Sequence, residues 1–476
     1  MKKFWTTRFP TLIFFLVILA SRLPLIGTGF GSDGDAWRNA VAAFRMREVG
    51  HYVASRPPGF PVFESLLVPL VPLGWVATNA LAAVAGVVAV MVFMRVSREL
   101  KIPSPFWLTF AFAFSGVLWV YTTQTMDYTL GLALLLGTYW SLLNRRHFLA
   151  GLLLALAAGC RLTTATLVLP ALAMLLIGRS GRQSVILFLA SYVVVTVGVY
   201  IPAILHFRSV GPIPGFFWHA SQMHVTFDTL PRLLRLDAVF LFGKLGSLML
   251  ALGLTSQLLF EIYRRVRRSG RKFAANRGVF PMRPRIDTGG QQANRLTPPA
   301  IVFEAGVVLV IFILYLMAPY EPEYLIPLFP FVLLLVGRLL TRRLLVITAL
   351  LIASEVVIVP LFDKQGAAPG RLALEMDQRR EALRVAKVLE ARRPTKPTVF
   401  VVGRVATLQL HLLVPSLERE EKVWRAWIEP GVALWSPDRR RGYAALIDQS
   451  TRKVLEKEGY HIEVLRKSGR WTKRLE

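Results

Sequence analysis

One feature constrains this chain more than any other: apolar segments alternate with short polar connections over most of its length. The segments fall near 9–27, 74–95, 104–121, 128–143, 147–160, 162–177, 184–206, 239–260, 300–318, 324–340 and 344–361. A bilayer core takes roughly 20 apolar residues as a helix, and it offers no water to unpaired backbone groups. The pattern therefore predicts a polytopic α-helical membrane protein with about 11 transmembrane helices. Composition agrees, with 54% hydrophobic and only 18% charged residues, outside the range of soluble domains.

The loops supply the orientation. With Met1 on the inside, the inner loops carry Arg95, Arg98 and Lys101, then Arg145 and Arg146, Arg179 and Arg182, the run from Arg264 to Arg295, and Arg342 and Arg343. All are basic, as short cytoplasmic loops should be. The net charge of +28 thus belongs to topology. No nucleic-acid-binding module accompanies it, so no nucleic-acid partner is expected. Merging any two of the short segments 128–143, 147–160 and 162–177 would invert every later loop, so they are kept separate. The start, MKKFWTTRFPTLIFFLVILASRLPLIG, is charged and then apolar, but lacks a good small-residue cleavage pattern. It reads as a retained signal-anchor. Residues 57–73 are apolar but interrupted by Pro57, Pro58, Pro61, Pro69 and Pro72, which suits a segment at the outer surface rather than a span.

Residues 1–361 form the membrane domain on this reading. Within it, the inner loop 261–299 holds ten Lys and Arg against two acids, a composition that predicts partial disorder and contact with anionic membrane lipids. After it, residues 362–476 read as a small α/β domain that parity places outside the cell. Its elements are an amphipathic helix over 369–391, a strand at Thr398–Val402, a helix over 450–459 and a strand near 461–465.

Chemistry concentrates in the polar stretch 29–64. Asp33 and Asp35 follow the first span, at a level where other outer loops bring Asp127 and the pair Glu321/Glu323. Ionisable groups beside hydrocarbon are costly and mark functional sites. Converging carboxylates can activate a nucleophile or hold a divalent cation. Alternatively, the aspartates cap the helix that begins near Ala36. Arg161 stands alone between two apolar runs, where its guanidinium fork would suit a phosphate or would simply snorkel. Arg56, ahead of Pro57 and Pro58, has the same two readings. His51, His219 and His224 lack metal-ligand spacing, and no metal site is assigned. The single cysteine, Cys160, lies in an apolar run and excludes an internal disulfide. No Walker loop or GxSxG serine elbow occurs.

The order of these pieces resembles a family. Asp33/Asp35, a helix, Gly50-His51-Tyr52 and then Arg56 through Pro61 look like the C-type membrane glycosyltransferases. That group includes the protein O-mannosyltransferases and the aminoarabinose transferases of lipid A. Gly151 to Pro170, with Arg161 inside, resembles the family's glycine-rich helix, basic residue and apolar helix ending in proline. Glu321-Pro322-Glu323-Tyr324, followed by Pro327 and Pro330, resembles its acid-x-Arg-Tyr pattern, with Glu323 standing where Arg is usual. Asp127 corresponds to the acid of the second outer loop, and an outer α/β domain after the last span is common.

The resemblance implies an inverting sugar transfer from a polyprenyl-phosphate donor to a hydroxyl of a protein, lipid or glycan acceptor. Asp35 is the first choice for general base, because the family's aspartate precedes a helix alanine by five residues, here Ala40; Asp33 is the second. Arg56, Asp127, Arg161, Glu321, Glu323 and Tyr324 would bind substrate, with Arg161 facing the lipid phosphate. The reading requires Asp35, Asp127 and Arg161 to converge. A transporter or flippase of a lipid-linked or anionic substrate is the competing class. It predicts matching halves and acids at mid-membrane depth, and the chain has no corresponding halves.

Overall fold

The computed structural model describes residues 2–31, 33–210, 230–276, 298–317, 322–357, 398–401 and 461–464, together with Arg380 and Lys457. Its membrane part is all-helical. Helix α1 (Lys2–Ala20) leads through a turn region to α2 (Gly34–Val49), α3 (Pro61–Leu67) and α4 (Trp75–Glu99). Then come α5 (Pro105–Ala113), α6 (Gly116–Tyr121), α7 (Tyr128–Leu143), α8 (His147–Cys160), α9 (Val168–Ile177) and α10 (Arg182–Val210). The later helices are α11 (Leu230–Asn276), α12 (Pro298–Leu316), α13 (Phe329–Leu339) and α14 (Arg342–Val357). Five stretches are long and apolar enough to cross a membrane: Trp75–Glu99, Arg182–Arg208, Leu230–Phe260, Pro298–Leu316 and Pro322–Leu339. The chain is thus a polytopic membrane protein, and among the described residues the remaining expected segments hold shorter helices.

Two segments differ from their expected form. Residues 104–121 make two helices, because Ser115 draws its own backbone out of the helix: its hydroxyl accepts from the Leu118 amide and donates to the Phe112 carbonyl. A break inside a membrane must find partners for the backbone groups it frees. The buried Arg22 supplies one by donating to the Ala113 carbonyl, and it also reaches Thr122 Oγ1 at 3.3 Å and the Ile18 carbonyl at 3.0 Å. Helix α11 starts earlier than expected and runs on to Asn276, into the basic loop, with an interruption at Gly243 (φ 73°). The rest of that loop, 277–297, lies outside the described residues.

The core is built by close helix pairs: α8 with α7 and α10, α4 with α7, α9 with α12, and α11 with α14. Rings fill the space between them, with Tyr139 stacked on Phe303 at 4.6 Å and Phe112 beside Phe93 at 4.6 Å and Phe329 at 5.7 Å. Where α7, α12 and α13 meet, the fully buried Glu304 is paired with Arg338 and accepts from Tyr139 Oη at 2.6 Å. A buried carboxylate needs such partners. The proline-broken stretch after residue 57 forms only the short α3 and a turn of 3-10 helix at Val71–Leu73.

Beyond the bundle, the strands expected near 398 and 461 are present as β1 (Thr398–Val401) and β2 (His461–Val464). They pair in parallel, Thr398 opposite His461, an arrangement that requires a crossover between them. Apart from Arg380 and Lys457, the helices expected over 369–391 and 450–459 lie outside the described residues.

Candidate active site

The loop ahead of α2 is tied down before any site residue appears. Asn79 of α4 donates to the carbonyls of Ile26 (3.0 Å) and Gly29 (2.7 Å), the Thr125 amide donates to Phe30 O at 2.8 Å, and the Trp37 indole donates to Gly31 O at 2.7 Å. Helix α2 then starts at a defined point. Asp33 is its N-cap, with Oδ1 accepting the Asp35 amide at 2.9 Å, and Gly50 ends it in the left-handed conformation (φ 71°) that glycine adopts without strain.

From that first turn a chain of alternating charges runs through three loops. Asp35 Oδ1 is 3.0 Å from Arg38 Nη1 and its Oδ2 is 3.1 Å from Arg56 Nε. Arg56 Nη2 lies 3.3 Å from Asp127 Oδ1, and Asp127 Oδ2 lies 3.0 Å from Arg161 Nη1. Asp127 is fully buried, so each of its oxygens serves a different arginine with no access to water. Burial works against the Arg56 charge, yet the Asp35 and Asp127 carboxylates outweigh it and hold Arg56 above the ordinary arginine pKa.

Rings enclose the second arginine. The Arg161 guanidinium sits 4.0 Å from the centroid of Tyr128 and 4.7 Å from that of Tyr324, and Tyr128 in turn lies edge-on to Tyr121 at 5.1 Å. Such contacts stabilise a desolvated cation. Tyr121 Oη donates to Glu323 Oε1 at 2.6 Å. Arg161 is only 6% exposed, and its Nε–H has no hydrogen-bond partner among the described residues.

Of the residues singled out from sequence, Asp35, Arg56, Asp127, Arg161 and Tyr324 therefore meet directly, and Glu323 joins them through Tyr121. Asp33 stands one step away, capping the helix that carries Asp35. Glu321, His219 and His224 lie outside the described residues. Among the described residues no cluster of three or more His, Cys, Asp or Glu side chains could hold a metal ion.

No protein-family model and no curated protein sequence matches this chain. Among solved structures, ArnT from Cupriavidus metallidurans in the apo state aligns with a TM-score of 0.53 at 14% identity, over 87% of this chain and 89% of that one. The same protein bound to undecaprenyl phosphate aligns at 0.50 and 15% identity, over 85% and 75%. The chain has the fold of ArnT. In this ArnT-like fold the loops after α1, α2, α6 and α8 are the ones that bring the ionic chain together.

Sequence reasoning missed several members. Asn39 accepts from Arg56 Nη1 at 3.0 Å and donates to the Thr125 carbonyl at 3.2 Å; its position one helical turn after Asp35 was the available signal. Tyr121 and Tyr128 carry no charge or motif in the sequence that sets them apart. Glu64, fully buried in α3, carried the clearest mark, an acid inside an apolar stretch.

Proposed function

We propose that this protein transfers a sugar, with inversion, from a polyprenyl-phosphate donor to an acceptor hydroxyl at the outer face of the membrane. The observation that carries the reading is Arg161. It is a buried guanidinium that spends Nη1 on Asp127 and keeps Nε–H without a partner among the described residues. Buried donors are rarely left over, and phosphate oxygens match this group. The ArnT-like fold supports the same class, since ArnT is a polyprenyl-phosphate-sugar glycosyltransferase and one of its solved structures holds undecaprenyl phosphate.

In this scheme the Asp35 carboxylate takes the proton of the acceptor hydroxyl as its oxygen attacks the anomeric carbon. The bond from that carbon to the phosphate oxygen breaks, and the lipid phosphate leaves with the electron pair. Arg161 and Arg56 offset the charge that develops on it. Asp33 acts on the geometry by fixing the start of α2. Asp127 holds the two arginines at a set separation, and Tyr324 and Tyr128 keep Arg161 dry. A divalent cation between Asp35 and Asp127 would meet the Arg56 guanidinium that already joins them, so no step is routed through one. The acceptor is a hydroxyl of a protein, lipid or glycan, delivered from the outer side.

The test is sugar transfer from a polyprenyl-phosphate donor by purified protein. Asp35→Asn should lower turnover by about 10²–10⁴-fold, the usual contribution of a general base, at unchanged expression. Wild-type turnover in Asp35→Asn would refute the assignment.

A further inference from the structure

A buried carboxylate that the proposed chemistry does not use closes the loop carrying Arg56. Glu64 is fully buried. Its Oε1 accepts the Ser55 amide at 2.8 Å, and its Oε2 accepts the Phe60 amide at 2.9 Å and the Tyr52 hydroxyl. Ser55 and Phe60 flank Arg56-Pro57-Pro58-Gly59, so one carboxylate pins both ends of that tetrapeptide. Inside it, the Gly59 amide donates to the Arg56 carbonyl at 2.7 Å. A helix cap at the start of α3 would need only the Phe60 amide; the reach back to Ser55 and Tyr52 is additional.

The loop is fitted around this clamp. Gly59 has φ +88°, and a Cβ there would stand 2.6 Å from the Tyr52 hydroxyl, so conformation and space both demand glycine. Tyr52 keeps its proton: burial, then the Glu64 charge and the hydrogen bond to it, push the phenol well above its ordinary value. The Arg56 guanidinium lies 4.1 Å over the Phe60 ring, so its packing partner is also fixed by Glu64.

We propose that Glu64 is a positioning residue: by closing residues 55–60 it aims Arg56 at Asp35 and Asp127 and so sets the anion-binding half of the site. This rests on the lipid-phosphate reading above for its functional consequence. Every guanidinium nitrogen of Arg56 is engaged, Nε with Asp35, Nη1 with Asn39 and Nη2 with Asp127. A small displacement of the loop would therefore break several contacts together, which is why a distant carboxylate matters to the arginine.

The experiment uses purified full-length protein in detergent and two readouts: amide hydrogen exchange over 52–64, and affinity for undecaprenyl phosphate. Glu64→Ala should speed exchange of the 55–60 segment and weaken binding about tenfold, the scale of losing hydrogen bonds to a charged group. In an Arg56→Ala background the same substitution should change affinity by less than about twofold, because its effect passes through Arg56. Glu64→Gln, which keeps one acceptor, should fall between, and it replaces Glu64→Ala should that variant fail to fold. Equal losses in both backgrounds would mean a general structural role and overturn the proposal, as would unchanged exchange. If the unsubstituted protein binds no undecaprenyl phosphate, the lipid-phosphate reading falls and the exchange result alone decides the clamp.

Discussion

Asp127 offers a test that needs no knowledge of the substrate. It is fully buried and is shared by two arginines, at 3.3 Å from Arg56 and 3.0 Å from Arg161. Replacing it with leucine strands two cations in a dry environment, and breaking one buried pair by removing a partner costs about 3–5 kcal/mol. The two arginines do not suffer alike. Arg56 retains Asp35 at 3.1 Å and Asn39 at 3.0 Å, whereas Arg161 retains no carboxylate among the described residues and keeps Tyr128 and Tyr324, each ring face worth roughly 0.5–2 kcal/mol. The expected loss for Asp127→Leu is therefore about 3 kcal/mol, the lower end of that range, and most of it belongs to Arg161. If so, removing the stranded charge should restore stability: Asp127→Leu with Arg161→Met should be more stable than Asp127→Leu alone by about 2 kcal/mol, since apolar replacement of a whole buried pair is often neutral. Chemical unfolding in mixed micelles measures both. A double variant as unstable as the sum of the two single variants would refute the shared-carboxylate account.

Three further outcomes follow from the same geometry. Asp33→Ser should keep near-normal turnover while Asp33→Ala loses about 1 kcal/mol of stability, because the position needs a capping oxygen; a turnover loss in Asp33→Ser as deep as in Asp35→Asn would make Asp33 the base. Tyr324→Phe should preserve undecaprenyl phosphate affinity and Tyr324→Leu should lower it several-fold, by losing one ring face from Arg161 at about 0.5–2 kcal/mol, as ligand titration would report. In the bundle, Gly151→Ala should reduce the folded yield sharply, since its Cβ would strike Ser191 Oγ and the Phe188 carbonyl of α10, whereas Gly198→Ala, with nothing within 4 Å, should be tolerated; size-exclusion profiles of the two variants decide this.

The helical segments were legible because a membrane converts hydrophobicity directly into structure. Among the described residues each expected span holds helix over most of its length, and the short runs 128–143 and 147–160 are separate helices, as charge parity required. What parity could not reveal was the break at Ser115, because the serine's effect depends on Arg22, in the turn after α1, taking the freed carbonyl. The candidate site was legible in its ends and obscure in its middle. Asp35 and Arg161 stood out as charges beside apolar runs, but a sequence does not say that Arg56 spans the gap between Asp35 and Asp127. That connection depends on where the loop 55–60 is held, hence on Glu64, whose lone acid among apolar residues could equally have been a helix cap.

The two buried ionic networks show why one reads as a site and the other as a fastener. Glu304 and Arg338 are matched one to one, with Arg338 Nη2 at 2.7 Å from Glu304 Oε1 and Tyr139 completing the carboxylate. Such a pair holds α7, α12 and α13 together and leaves nothing to recruit. The ionic chain at the opposite end of α7 is built differently: among the described residues Arg38, Arg56 and Arg161 share Asp35 and Asp127. Arg56 is engaged at all three nitrogens by Asp35, Asn39 and Asp127, whereas Arg161 keeps an unpartnered Nε–H among the described residues. A balanced pair gains nothing from an added anion, but an arginine short of acceptors does. Phosphate should therefore raise the thermal stability of the wild-type protein through Arg161, and Arg161→Met should abolish that increment while Arg338→Met leaves it intact.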